Sequence, residues 1–227
     1  MALGHAPSII MDGLIAYMDV RNIRAYPGSG DVITDLINGY SSTGASAIQI
    51  SAIGATFGTN KNIFVLADAL VSNTSYSKCC WFSLDDVTTF QPLICGTYVT
   101  RNCMWMNKTA NLTASHSNTS PFSSPTFTSI AGTTTLSTGI WYFGAVTYSS
   151  TSGFNIYLNN RRDQTSATTQ TFTTQQLNYF GYFADFFTSP VTPTLNGTLG
   201  PSMIYNRVLT AQEILQNYNA TKRRYGF

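Results

Sequence analysis

The sequence predicts an all-β protein, a two-sheet antiparallel sandwich of the jelly-roll type closed by one short C-terminal helix. Three observations carry that expectation. Short runs rich in Thr, Val, Ile and aromatic residues alternate apolar and polar side chains along most of the 227 residues, the period of a half-buried strand. Gly, Pro, Asn and Asp punctuate these runs at short intervals, as the turns of a sandwich require. One segment alone, near the end, carries a convincing helical signature.

In chain order, residues 1 to 13 read as an extended N-terminal arm, with residues 14 to 227 as a single sandwich domain. GLIAYMDV alternates as a strand, Leu14, Ala16 and Met18 on one face and Ile15, Tyr17 and Asp19 on the other. AYPGSGDVITDL carries Pro27-Gly28 and Gly30 and reads as a turn-rich loop. AIQISAIGATF is a strand pair or a strand with a bulge, and residues 62 to 100 hold several short strands, NIFVLADALV and KCCWFSLDD among them, with Asp85-Asp86 at a turn. NCMWMN follows, then a polar stretch, Asn111 to Ser129, expected to be a long loop or weak edge strands.

The clearest hairpin starts at Trp141: a strand to Tyr148, a turn through Ser149 to Gly153, and a return over Phe154 to Leu158. Asn159-Asn160 can take the positive φ of a tight primed turn into a third strand after Arg161. LNGTLGPSMIYNRVLT gives the last strand. Thr210 and Glu213 then form a T-x-x-E capping box, with Ile214, Leu215 and Tyr218 as the apolar stripe of the helix.

Composition narrows the function. Charged residues make up 10% and hydrophobic residues 43%, so Ser, Thr and Asn replace the usual charge, as on extracellular or virion surfaces. With a net charge of +2 and Lys222, Arg223 and Arg224 as the sole basic run, nucleic acid is not an expected partner. No apolar stretch is long enough for a membrane-spanning helix. MALGHAPSII lacks a basic region followed by a long apolar one, so synthesis in a cytoplasm without a signal peptide is expected.

Cys79, Cys80, Cys95 and Cys103 read as reduced core thiols; the alternative is a bridge from Cys79 or Cys80 to Cys95 or Cys103 on a neighbouring strand. The six Asn-x-Ser/Thr sequons, at Asn73, Asn107, Asn111, Asn118, Asn196 and Asn219, follow from the richness in these residues and carry little weight.

The chemistry of hydrolysis is hard to assemble. A glycosidase needs two carboxylates flanking the scissile bond, and the one glutamate, Glu213, is already placed as a helix cap. The nine aspartates sit mostly beside Gly, Asn or Ser, where turns use them. His5 and His116 lie in the arm and the polar stretch, and no nucleophile elbow is present. No cofactor is expected; calcium stays open, with Asp85-Asp86 as its paired acid, although a turn explains that pair more simply.

A sugar-binding surface needs exposed aromatic faces beside polar groups. NYFGYFADFF offers Tyr179, Tyr182, Phe183 and Asp185, and NCMWMN offers Trp105. Alternation puts about half of such aromatics in a core; the remainder mark a glycan surface or a subunit interface.

Two stretches resemble a known family. GIWYFGAVTYSSTSGFNIYLNN is similar to the hairpin of concanavalin A-like, laminin G-like domains, and LNGTLGPSMIYNRVLTAQEILQNYNATKRRYGF to their closing segment. GLIAYMDVRNIRAYPGSGDVITDL looks like the opening of laminin G-like proteins carried by tailed phages. The match departs at Asn159-Asn160, where the family usually has Asp-Gly or Asn-Gly.

The resemblance implies the jelly roll. Its phage setting implies a non-enzymatic virion structural protein, a head decoration or knob or a tail- or fibre-associated surface protein. Capsid or tail proteins would then be its partners, and closed homo-oligomers such as trimers its form. His5, in the arm, and Arg223, Arg224 and Phe227, in the tail, are the candidate anchors. The alternative is a lectin-like carbohydrate-binding module that docks on host-surface glycans, compatible with the first; a glycoside hydrolase is the reading with least behind it.

Overall fold

A computed structural model of the chain describes residues 7–30, 32–43, 49–58, 64–66, 74–96, 102–117, 127–169, 178–182 and 194–227. The first strands are β1 (Leu14–Met18), β2 (Val32–Thr34), β3 (Ser41–Thr43), β4 (Gln49–Ile50), β5 (Ala55–Phe57) and β6 (Phe64–Leu66). β7 (Ser75–Leu84), β8 (Gln91–Gly96), β9 (Cys103–Met106), β10 (Leu112–Ser117) and β11 (Phe127–Ala131) form the middle of the chain. The meander β12 (Trp141–Ser149), β13 (Gly153–Leu158) and β14 (Arg161–Ser166) is followed by β15 (Asn178–Phe180), β16 (Gly197–Tyr205) and helix α1 (Ala211–Thr221).

These strands build two antiparallel sheets. One has the order β14-β13-β12-β7-β16-β5-β4, with β1 also paired to β16; the other runs β11-β10-β9-β8-β15-β6. A small third pair, β2 with β3, puts a strand where the sequence reads as loop. Period-2 alternation fills the space between the two main sheets: Cys80, Phe82 and Leu84 of β7, Ile94 of β8, Met104 and Met106 of β9 and Phe180 of β15 share one buried core.

The polar stretch after Asn111 ends in an edge strand, β11, as one sequence reading has it, and corrects that reading for β10. Its Leu112, Ala114 and His116 point inward, and β10 lies inside its sheet between β9 and β11. Low apolar content hid the strand, because a half-buried strand needs an apolar residue at every second position only.

The opposite face of the first sheet carries a second core. Trp81 Nε1 donates to Thr221 Oγ1 at 2.7 Å, and its ring stacks on Tyr225 at 4.3 Å and Tyr218 at 5.5 Å. The arm joins this layer: Ile10 N donates to Asn217 Oδ1, Gln216 Nε2 donates to Ser8 O, and Ile9 and Ile10 pack against the cluster. Residues 7–13 are therefore docked along α1, and His5 lies outside the described residues. Among the described residues no helix is long and apolar enough to cross a membrane.

The capping box forms as the sequence requires, with Thr210 Oγ1 accepting from Glu213 N and Thr210 N donating to Glu213 Oε2. Arg207 clamps Glu213 at 2.6 Å and Asp12 at 2.8 Å. That guanidinium pulls the Glu213 carboxyl down to about 2. Replacing Glu213 with alanine is expected to cost about 1–2 kcal/mol, since both the cap and a largely water-screened ion pair are lost. The carboxylate's contribution is present above its ordinary value of 4.5 and is lost as pH falls toward 2. The difference between wild type and variant in urea melts should shrink over that range.

Candidate functional site

The structure brings two of the aromatic candidates together. Tyr179 and Tyr182 meet edge to face, ring centres 5.7 Å apart, and both are half-buried. Gly181 makes the approach possible: its φ is +68, and a Cβ there would press 2.7 Å from the Phe57 ring. Phe183 and Asp185 lie outside the described residues.

Trp105 does not offer an open face. It is 7% exposed, Nε1 donates to Ser115 Oγ at 3.1 Å, and Phe90 packs on its ring at 5.1 Å. It lies on the outward side of the second sheet, as Tyr179 does, but β8 runs between its strand β9 and the β15 strand of Tyr179. The exposure expected of Trp105 is thus corrected: with Cys95 and Cys103 it forms a small cluster of its own.

The tail residues turn inward. Arg224 pairs with the buried Asp19 at 2.6 Å, and Phe227 packs on Trp81 while staying 48% exposed. Arg223 is exposed.

A cavity of about 430 Å³ opens where the two sheets meet, lined by Thr134, Leu158, Asn159, Arg161, Arg162 and Asp163. Local sequence shapes it. Asn159 and Asn160 adopt φ of +46 and +67, the left-handed pair of a tight turn that asparagine tolerates best among non-glycine residues. Asn159 Oδ1 accepts from Phe143 N at 2.9 Å, which leaves its amide NH2 as the remaining polar group. A register shift follows, since Tyr157 faces Arg162 while Ile156 faces Gln164, so Asp163 is the extra residue of a β-bulge.

Asp163 uses that freedom to stitch the sheets together. Its carboxylate accepts from Thr133 N at 2.9 Å, Thr133 Oγ1 at 3.0 Å, Thr134 N at 3.2 Å and Thr134 Oγ1 at 2.6 Å. Gly132 is required beside it, because a Cβ would lie 2.0 Å from Asp163 Oδ2. Arg161 and Arg162 are exposed and form no ion pair among the described residues. Two guanidinium groups, an amide donor and the apolar edge of Leu158 suit a polar, anionic molecule the size of a sugar ring, and the volume falls in the range of small-ligand sites.

Other described carboxylates are engaged in the backbone of turns. Asp35 accepts from Tyr17 N and Asn38 N, both at 2.7 Å, and Asp86 accepts from Thr88 N at 2.7 Å in the turn its sequence anticipates. His116 is buried, its Nε2 2.6 Å from the Tyr76 hydroxyl. Among the described residues no group of three or more His, Cys, Asp or Glu could hold a metal ion.

Lys78 is the residue that sequence reasoning missed. It is fully buried, and Nζ donates to Ile94 O at 3.2 Å, to Asn102 Oδ1 and Asn178 Oδ1 at 2.7 Å each, and to Asn102 O. Asn102 presents both of its oxygens because its backbone sits at φ +54. The signal was available: Tyr76, Lys78, Cys80 and Phe82 share one strand face, so alternation alone aims the ammonium into the core.

A sequence model of the family described as the concanavalin A-like lectin/glucanases superfamily matches residues 57–215. No curated protein sequence matches the chain. Among solved structures, a Trypanosoma rangeli sialidase in complex with sialic acid superposes with a TM-score of 0.68 at 12% identity, over 97% of this chain and 35% of that one. The binding domain of botulinum neurotoxin DC in complex with rat synaptotagmin II gives 0.65 at 13% identity, over 93% and 52%. The ligand binding domain of botulinum neurotoxin serotype D in complex with N-acetylneuraminic acid gives 0.63 at 13%, over 91% and 50%. The chain spans about a third to a half of these structures, and at such identities the likeness is one of fold.

Proposed function

Because the chain belongs to the concanavalin A-like lectin/glucanases superfamily, we propose that it is a non-catalytic carbohydrate-binding domain that holds an acidic saccharide in the cavity at the β13–β14 turn. The observation that carries this reading is the pair of exposed, unpaired arginines beside Leu158 and Asn159 in a cavity of about 430 Å³. Two of the similar structures hold sialic acids, sugars whose carboxylate a guanidinium binds through two parallel hydrogen bonds. Absence of turnover is proposed on a separate ground: Glu213 and Asp163 are held by a cap and a bulge, so neither is placed as one of two carboxylates across a bond.

Calorimetric titration with a sialylated oligosaccharide and its neutral counterpart tests the reading. Binding of the acidic sugar should weaken with salt and fall about tenfold in Arg161→Ala. Equal affinity for the neutral sugar, or for the variant, would refute the site.

A second reading is a surface protein of a tailed-phage particle, and one observation favours it. The segment that resembles the opening of phage laminin G-like proteins and the one that resembles the family's closing segment form one packed unit: Leu14 pairs with Tyr205, Arg207 clamps Asp12, and Arg224 clamps Asp19. Such a protein would assemble as a closed homo-oligomer on capsid or tail proteins, with the glycan site turned outward. Native mass and co-sedimentation with particles test it; a monomer that leaves particles in the supernatant would count against it.

A further inference from the structure

We infer that Cys95 and Cys103 form a cross-strand disulfide when the protein is exposed to an oxidising thiol buffer. Strands β8 and β9 pair Ile94 with Met104 in antiparallel register, so the next residue on each, Cys95 and Cys103, stand directly opposite. Both point outward from the second sheet: Cys95 lies beside Tyr179, and Cys103 beside Ser115. The thiols are in hydrogen-bond contact, and Cys95 Sγ also reaches Met104 O at 3.6 Å. Directly opposed residues of an antiparallel pair have Cβ atoms about 4.5–5.5 Å apart, within a small adjustment of the 3.5–4.5 Å that a disulfide spans.

The other pairings lack this geometry. Cys79 lies in the layer under α1 and Cys80 in the core between the sheets, on opposite faces of β7. β7 belongs to the other sheet from β8 and β9, so Cys79 and Cys80 have neither Cys95 nor Cys103 as a strand neighbour. The bridge the sequence left open from that pair is therefore corrected. All four cysteines carry thiols in this structure.

The exchange balances with glutathione disulfide as oxidant. One thiolate attacks the glutathione S–S bond and releases a glutathione thiolate; the second displaces the other, which leaves one protein S–S bond and two glutathione thiols that take up the two cysteine protons. Burial pushes the Cys95 thiol up, opposed in part by the nearby Lys78 cation, and both residues are 0–1% exposed. Exchange then runs through openings of the β8–β9 pair and not at the closed surface. The bond would fasten the strand end next to Asn102, which holds Lys78, after release from a reducing compartment.

The full chain is incubated in a glutathione disulfide buffer, alkylated under denaturing conditions, and its intact mass and peptide map are read. The expected result is a loss of about 2 Da, two hydrogens, with two alkylated thiols and a peptide joining Cys95 to Cys103. The oxidised protein should melt about 5 °C above the reduced one. Cys95→Ala should abolish the mass loss, while Cys79→Ala and Cys80→Ala keep it. Four alkylated thiols, stable glutathione adducts, or a bond through Cys79 or Cys80 would overturn the inference, whatever the outcome of the glycan titration.

Discussion

Replacing Lys78 with alanine is expected to lower folding stability by about 2–4 kcal/mol, because several buried acceptors lose their donor and a buried stem is removed, offset in part by relief of the cost of burying the charge. Its Nζ supplies three protons to four oxygens, those of Ile94, Asn102 (two) and Asn178. The described residues give it no carboxylate. Without the lysine those acceptors face a dry cavity, and each unmet buried group costs about 1–3 kcal/mol. Lys78→Met keeps most of the hydrocarbon stem. A methionine variant nearly as unstable as the alanine one would assign the loss to the hydrogen bonds, and a methionine variant close to wild type would assign it to packing. Urea melts at pH 7 decide; a loss below about 1 kcal/mol for Lys78→Ala would show that water replaces the ammonium.

Raising the pH is expected to unfold the protein between about pH 10 and 11, with about 2 kcal/mol already lost by pH 10. Burial pushes the thiols of Cys79, Cys80 and Cys95 well above their ordinary value of 9.0. Each contributes stability that is fully present below that value. It is lost as pH rises, at about 1.4 kcal/mol per unit, because the unfolded chain ionises and the folded one does not.

Lys78 works the other way. Desolvation pulls it down to about 8 from 10.5, so the cost of burying its charge is full below 8 and is relieved as pH climbs toward 10.5. Three losses outweigh one gain. Above pH 10 the buried hydroxyls of Tyr17, Tyr76, Tyr205 and Tyr225, also pushed up by burial, add losses of the same sign. Denaturant melts from pH 7 to 11 measure the curve. Cys80→Ala should flatten its slope by about 1.4 kcal/mol per pH unit whatever its baseline stability. A protein as stable at pH 10 as at pH 8 would contradict the burial of these thiols.

The sequence by itself determined whatever depends on neighbours a few residues apart. The alternation of Leu14, Ala16 and Met18, the left-handed Asn159-Asn160 turn, the meander from Trp141 and the Thr210–Glu213 box all follow from local periodicity and turn chemistry, and all form. The family resemblance, carried by the same hairpin and closing segment, held for the same reason.

Tertiary structure alone decided which faces are covered and which distant groups meet. Trp105 has the composition of a sugar platform, yet Phe90 and Ser115 close it. His116 falls in a polar run, yet strand pairing turns it into the core beside Tyr76. The Arg161–Arg162 cavity depends on Asp163 holding Thr133 and Thr134 some thirty residues earlier, and the Lys78 cluster joins three strands and Asn102. Periodicity fixes the face on which a side chain stands; what lies against that face is set by long-range pairing, which the local pattern does not encode.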